Sequence, residues 1–118
     1  MKDTKSGKLT GRQPLANKRI NLSKQAREQL LLEISTEILH AKLSKGAALK
    51  KLRLQLFSAS QADYASMVGI GRKALSEIEN DKGNYTEAFL QKVFAPLGLV
   101  VTVIPKNLEI LRETLKTS

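Results

Sequence analysis

An all-α fold with one short strand is predicted, and three observations predict it. Apolar residues recur at three- and four-residue steps, as in Leu30, Ile34, Ile38 and Ala41, which is the period of a helix with one buried face. Aromatic residues are only 4% of the chain, which fits a core of Leu, Ile, Val and Ala packed between helices. A single short run, "LVVTVI" at 99–104, has the β-branched content of a strand.

The elements follow in chain order. Residues 1–21 are rich in Lys, Gly, Ser, Thr and Asn and read as a flexible basic arm. Ser23 is a plausible N-cap for a long helix to about Ser44, with Leu30, Ile34, Ile38 and Ala41 as its stripe and Leu31, Leu32, Leu39 and Leu43 widening it. This extension occupies 22–45. Gly46 breaks the pattern. A second helix, about Ala47 to Leu56, puts Leu49, Leu52 and Leu56 on one face and Lys50, Lys51 and Arg53 off it. Two shorter helices follow, about 61–67 and 71–79. Asn84 or Thr86 then caps a helix carrying Phe89, Leu90, Val93 and Phe94, and Pro96 stands near its end. A strand is expected at 99–105, bounded by Gly98 and Pro105, and a short helix or tail at 106–118. The main domain spans 46–98.

With 118 residues and 42% apolar content, the chain is long enough for one folded domain with a modest core. It has no cysteine, which excludes disulfides, thiolate metal sites and a cysteine nucleophile. The first twenty residues hold no apolar segment of the signal-peptide kind, and no apolar run approaches membrane-spanning length. A soluble cytoplasmic protein is expected.

The net charge of +9 is uneven. Residues 1–27 carry eight Lys or Arg against one acid, and residues 42–53 carry five with none. Residues 28–41 hold three glutamates and no base, and residues 54–118 balance seven against seven. Basic charge concentrated on an arm and one helix suits a polyanionic partner; a solvated tail is the plainer reading.

The stretch "SQADYASMVGIGRKALSEIEND", residues 60–81, is the most specific signal. Tyr64, Ala65 and Val68 share one helix face, and Leu75 and Ile78 share another. Helices joined by so few residues cross steeply. The contact residue at the crossing must be small, as Ala65 is. The turn needs a residue that accepts positive φ, as Gly69 does, and Ile70 plugs the turn into the core. This is the spacing of a helix-turn-helix. A helical hairpin with a purely structural role shares some of these features.

On those residues, the chain from about Ala47 to Lys106 resembles the lambda-repressor-like, or Xre-type, DNA-binding domain. "ALKKLR" supplies the first helix of the match and "NYTEAFLQKVFAPLGLVVTV" the last helix and strand. More narrowly, the "LGLVVTV" ending is similar to the Hip-type (HipB-like) antitoxins, which repress their own toxin–antitoxin promoters. About half of the chain is covered. The turn Phe57-Ser58-Ala59-Ser60 lacks the family's usual glycine, and Asp81 stands where glycine is frequent.

The resemblance implies double-stranded DNA as partner, bound in the bacterial cytoplasm by a homodimeric repressor of its own operon. Helix 71–79 would enter the major groove with its first residues at base edges. Arg72, Lys73, Ser76 and Glu77 are then the candidates for base contact. Arg and Lys donate to guanine, and Glu77 either accepts from a cytosine amine or repels wrong sites; ordinary solvated charge is the plainer reading of Arg72 and Lys73, and above all of Glu77. Gln61, Gly71, Asn80 and Lys82 are the candidates for the DNA backbone. Glu79 is expected to pair with Arg53, as in similar domains; a surface carboxylate is the plainer reading. One such module buries only about 600–1,000 Å² on DNA, so two half-sites are expected. Val100, Val101, Thr102, Val103 and Ile104 are the candidate dimerisation strand, pairing with a twin; the alternative is a segment folded on its own domain.

The 22–45 helix buries its stripe against something: a partner toxin, the domain itself or a second subunit. Binding and neutralising a toxin is the alternative function. Glu28, Glu33 and Glu37 weigh against a membrane surface. Catalysis is not expected, because His40 is the only histidine and no nucleophile, metal-ligand set or phosphate-cradling loop accompanies it. No cofactor or metal is expected.

Overall fold

The computed structural model describes residues 22–116, and these form six α-helices. They are α1 (Lys24–Leu39), α2 (Lys45–Leu52), α3 (Gln61–Val68), α4 (Arg72–Glu79), α5 (Glu87–Phe94) and α6 (Leu108–Lys116). A π-helical turn, Arg53–Phe57, prolongs α2, and a 3-10 turn, Ala95–Leu97, prolongs α5. The basic arm at 1–21 lies outside the described residues.

Hydroxyl caps set where the helices begin. Ser23, Ser44, Ser60 and Thr86 each accept the N–H three residues on, at 3.0, 3.1, 3.0 and 3.1 Å. Each satisfies a donor that the first helical turn leaves open. Asn107 does this for α6, accepting from Glu109 and Ile110.

Two expected boundaries are corrected. The first helix stops at Leu39, not Ser44. Ala41 turns left-handed at φ 58°, and the Lys42 N–H reaches back to the Glu37 carbonyl at 2.8 Å. That six-to-one closure ends a helix, here without the usual glycine. Ser44 then has to be extended to cap α2. Gly46, expected as a breaker, instead lies inside α2 and is buried.

The core is built where the apolar stripes converge. Leu49 and Leu52 of α2, Tyr64 and Ala65 of α3, Leu75 and Ile78 of α4 and Val93 and Phe94 of α5 are all buried. Each large one contributes about 1.5–3 kcal/mol by leaving water. Ile34 joins the same cluster, with Leu30, Leu31 and Ile38 packed against it. Of the three fates open to the N-terminal helix, docking on its own domain is the one observed.

Buried polar groups tie the helices together. Arg53 and Glu79 meet in a two-point pair, Nε to Oε2 at 2.7 Å and Nη2 to Oε1 at 3.0 Å, with both side chains buried. Arg53 also donates to the Ala59 carbonyl at 2.6 Å. The expected pairing is present, and it belongs to the core rather than the surface. The Tyr64 hydroxyl donates to the Val93 carbonyl at 2.7 Å, and burial pushes its pKa well above the ordinary phenol value.

The expected strand at 99–105 is not formed: among the described residues there is no strand. The segment is irregular and is tied to its own domain. The Gln91 side chain donates to the Leu99 carbonyl at 3.2 Å and accepts from the Val101 N–H at 2.8 Å. One glutamine amide thus serves the backbone groups that a neighbouring strand would serve. Leu99 and Val101 pack on the core, whereas Val100 and Val103 are 71% and 94% exposed.

Candidate nucleic-acid interface

The site is built around α4 and the turn that leads into it. Gly69 ends α3 in the left-handed conformation, φ 77°, which costs a glycine little. The Ile70 N–H returns to the Ala65 carbonyl at 2.9 Å, and the chain is thereby aimed into α4 after three residues. Ala65 is 2% exposed at the crossing, so the small residue is where the backbones meet. This is the helix-turn-helix geometry that the spacing predicts.

Gly71 is the N-cap of α4 and provides no side-chain bond. Its φ of −75° suits any residue, and a Cβ there would meet nothing within 4 Å. The first turn of α4 therefore has no side-chain acceptor at its cap, and the space beside Gly71 is open. Such a terminus favours an anion. Arg72 and Lys73, both exposed, add two full positive charges at the same place.

Further along α4, Ser76 and Glu77 are half-buried. Glu77 Oε1 accepts a hydrogen bond from the Tyr85 hydroxyl, and that bond is the main reason the Tyr85 pKa lies above the ordinary phenol value. Asn80 closes the helix, with Nδ2 donating to the Ser76 carbonyl at 2.8 Å. Lys82 is exposed, and its N–H returns to the Glu77 carbonyl at 2.8 Å. Arg72, Lys73, Ser76, Glu77, Gly71, Asn80 and Lys82 are thus brought together on one helix and the loop after it.

Gln61 sits differently. It is half-buried at the start of α3, and its Nε2 donates to Glu79 Oε1 at 2.9 Å. The side chain belongs to the Arg53–Glu79 network as well as to the start of the helix. Val100, Thr102, Val103 and Ile104 are exposed, and Val101 is half-buried; all but Val103 line a groove of about 420 Å³ that Ile38, Leu39 and Phe94 also line and that no α4 residue lines.

Two residues at the site were not singled out in the sequence. Tyr85 stacks on Phe89, ring centroids 5.0 Å apart, and reaches Glu77. Lys92 lies over the turn: a Cβ on Gly69 would stand 3.7 Å from Lys92 Nζ. The same ammonium is 6.0 Å from the Phe89 ring centroid. The available signal was the spacing of scarce aromatics, Tyr85 and Phe89, just before Lys92.

The described residues hold no helix long and apolar enough to cross a membrane. Over 68 residues the chain is 34% identical to Control protein C.MunI from a Mycoplasma species. That alignment takes in 58% of this chain and 92% of that protein. No protein-family model matches the chain, and no solved structure does.

Proposed function

The chain belongs to the same Xre-like helix-turn-helix family as Control protein C.MunI, and from that premise we propose that it is a sequence-specific regulator of transcription that binds double-stranded DNA. It acts without catalysis, in the cytoplasm. Helix α4 enters the major groove and Arg72, Lys73, Ser76 and Glu77 face base edges. The α4 N-terminus at Gly71, with Gln61, Asn80, Lys82 and Lys92, lies along the phosphates.

The observation that carries this reading is the α4 entry. An open, uncapped helix N-terminus stands beside two exposed cations, on the second helix of a tight helix-turn-helix. In the core such a terminus would be a fault; at a phosphate it is a complement.

The protein acts as a dimeric repressor of its own operon on two half-sites. Val100, Val103 and Ile104, 71%, 94% and 43% exposed, support an apolar contact between subunits through side chains. The Hip-type part of the resemblance drew mainly on the "LGLVVTV" ending, and the likeness to Control protein C.MunI supports the Xre-like family without it.

Fluorescence anisotropy on the DNA upstream of the gene, against a scrambled duplex over a salt series, tests the reading. Preference for the upstream DNA, a steep loss of affinity with salt and weaker binding by Lys73→Ala are expected. Equal, weak binding to both duplexes would reject sequence-specific recognition.

A further inference from the structure

We propose that Tyr85 is a specificity-determining residue, which holds the Glu77 carboxylate on α4 so that it reads a cytosine amino group in the major groove. The inference rests on α4 being the groove-reading helix.

The chemistry begins with Glu77. An ionised carboxylate only accepts hydrogen bonds. In the major groove guanine shows two acceptors, thymine an acceptor and a methyl, and adenine an acceptor beside its amine; cytosine shows a donor. A carboxylate fixed there favours cytosine and is repelled by the acceptors of the other bases.

Fixing matters because glutamate is flexible. An unrestrained glutamate on a helix surface loses rotamer freedom when a base captures it. Here that ordering is already done. The Tyr85 hydroxyl donates to Glu77 Oε1. The Tyr85 ring is itself held by its stack on Phe89, at 5.0 Å and an interplanar angle of 16°. Gly83 leaves room for the ring, since a Cβ on it would come 2.4 Å from Tyr85 Cε2 and 3.1 Å from Glu77 Oε1. One face of the loop after α4 is therefore shaped around this pair. Glu77 follows Lys73 by four residues, so both project from one side of the helix.

A merely structural tie between the loop and α4 would make a different prediction, and selection from a randomised duplex library separates the two. Full-length wild type should enrich a defined site with cytosine at one position. Tyr85→Phe should enrich the same site with the preference at that one position weakened about tenfold and the others kept. Glu77→Gln, whose amide both accepts and donates, should move that position from cytosine toward adenine. The Glu77→Gln shift reads the base contact alone; the role of Tyr85 is decided by Tyr85→Phe, which removes the hydroxyl that reaches Glu77 and keeps the ring that stacks on Phe89. An unchanged preference with Tyr85→Phe, or an even loss of affinity for every sequence, overturns the proposal while leaving DNA recognition by α4 in place. Tight binding by the wild type with no enriched site overturns the DNA-reading function itself.

Discussion

Arg53 and Glu79 are joined at two points, 2.7 and 3.0 Å, inside a core that excludes water from both. The pair spans from the end of α2 to the end of α4, so it sets how α4 sits on the bundle. Removing one partner strands the other charge. Arg53→Leu leaves Glu79 buried without its cation and frees the Ala59 carbonyl. The expected loss is about 3–5 kcal/mol, read as a shift in the urea midpoint. Arg53→Leu with Glu79→Leu should cost much less than the single change, because no uncompensated charge remains.

Gly46 is a second point of contact between α2 and α4. A Cβ there would stand 2.3 Å from the Ile78 carbonyl oxygen, 2.8 Å from that of Glu79 and 2.6 Å from Asp81 Oδ1. Two of these are backbone atoms and cannot swing away. Asp81 also accepts from the Gly46 N–H at 2.9 Å and from the Ser44 hydroxyl at 2.7 Å. Gly46→Ala should therefore destabilise the fold by about 2–4 kcal/mol, within the range of severe overpacking, although alanine is the better helix former. Thermal unfolding followed by circular dichroism would show it as a drop in Tm.

These two residues show how far the sequence could be read. Local patterns gave α3, α4 and their turn, because tight spacing leaves few geometries. The Arg53–Glu79 pair came with the resemblance. Gly46 misled, since a glycine that ends a helix and one that admits a neighbouring backbone look alike without the neighbour. Ser58 and Asp81 adopt left-handed φ of 51° and 59°, a conformation that favours glycine; Asp81 holds that strain with two side-chain bonds to the start of α2. The segment at 99–104 has strand composition, yet its fate depended on Gln91, a residue that carries no strand signal. Tyr85 and Lys92 reach the candidate site from beyond the helix-turn-helix, through the packing of α5.

The open cap of α4 separates stability from function. Gly71→Ser places a hydroxyl within reach of the Ala74 N–H, and the backbone at φ −75°, ψ 150° accepts serine without strain. Stability should rise by about 0.5 kcal/mol from the cap and the reduced freedom of the unfolded chain. DNA affinity should fall, because the hydroxyl occupies a donor and the space proposed for a phosphate. Urea titration and anisotropy on the same preparation would check both signs. A rise in stability with DNA affinity intact would remove Gly71 from the interface.

The chain's two tyrosines both have raised phenol pKa values, Tyr64 chiefly through burial and Tyr85 chiefly through its bond to Glu77. A raised value in the folded state means that the unfolded chain gives up the proton first. The stabilising contribution is complete below pH 10, the ordinary phenol value, and is lost as pH climbs above it toward the folded value. In Tyr85→Phe, where Tyr64 is the remaining tyrosine, phenolate absorbance should therefore stay low past pH 10 and then rise together with unfolding. Phenolate formation near pH 10 in that folded variant would contradict the placement of Tyr64.

Gln91 offers the sharpest test of how residues 99–101 are held. Its amide contacts both the Leu99 carbonyl and the Val101 N–H, so a glutamate in its place keeps the acceptor and loses the donor. Leucine loses both. The irregular segment carries exposed apolar side chains, and its backbone is held chiefly by this one group. Gln91→Leu should free it, with faster proteolytic cleavage between Gly98 and Pro105 and faster amide exchange at Val101. Gln91→Glu should fall between the two, since one of the two bonds survives. Global stability should change by only about 1 kcal/mol, because the core helices keep their contacts. If the subunits of a dimer meet through Val100, Val103 and Ile104, the same leucine variant should shift sedimentation toward monomer, which links this local tether to assembly on DNA.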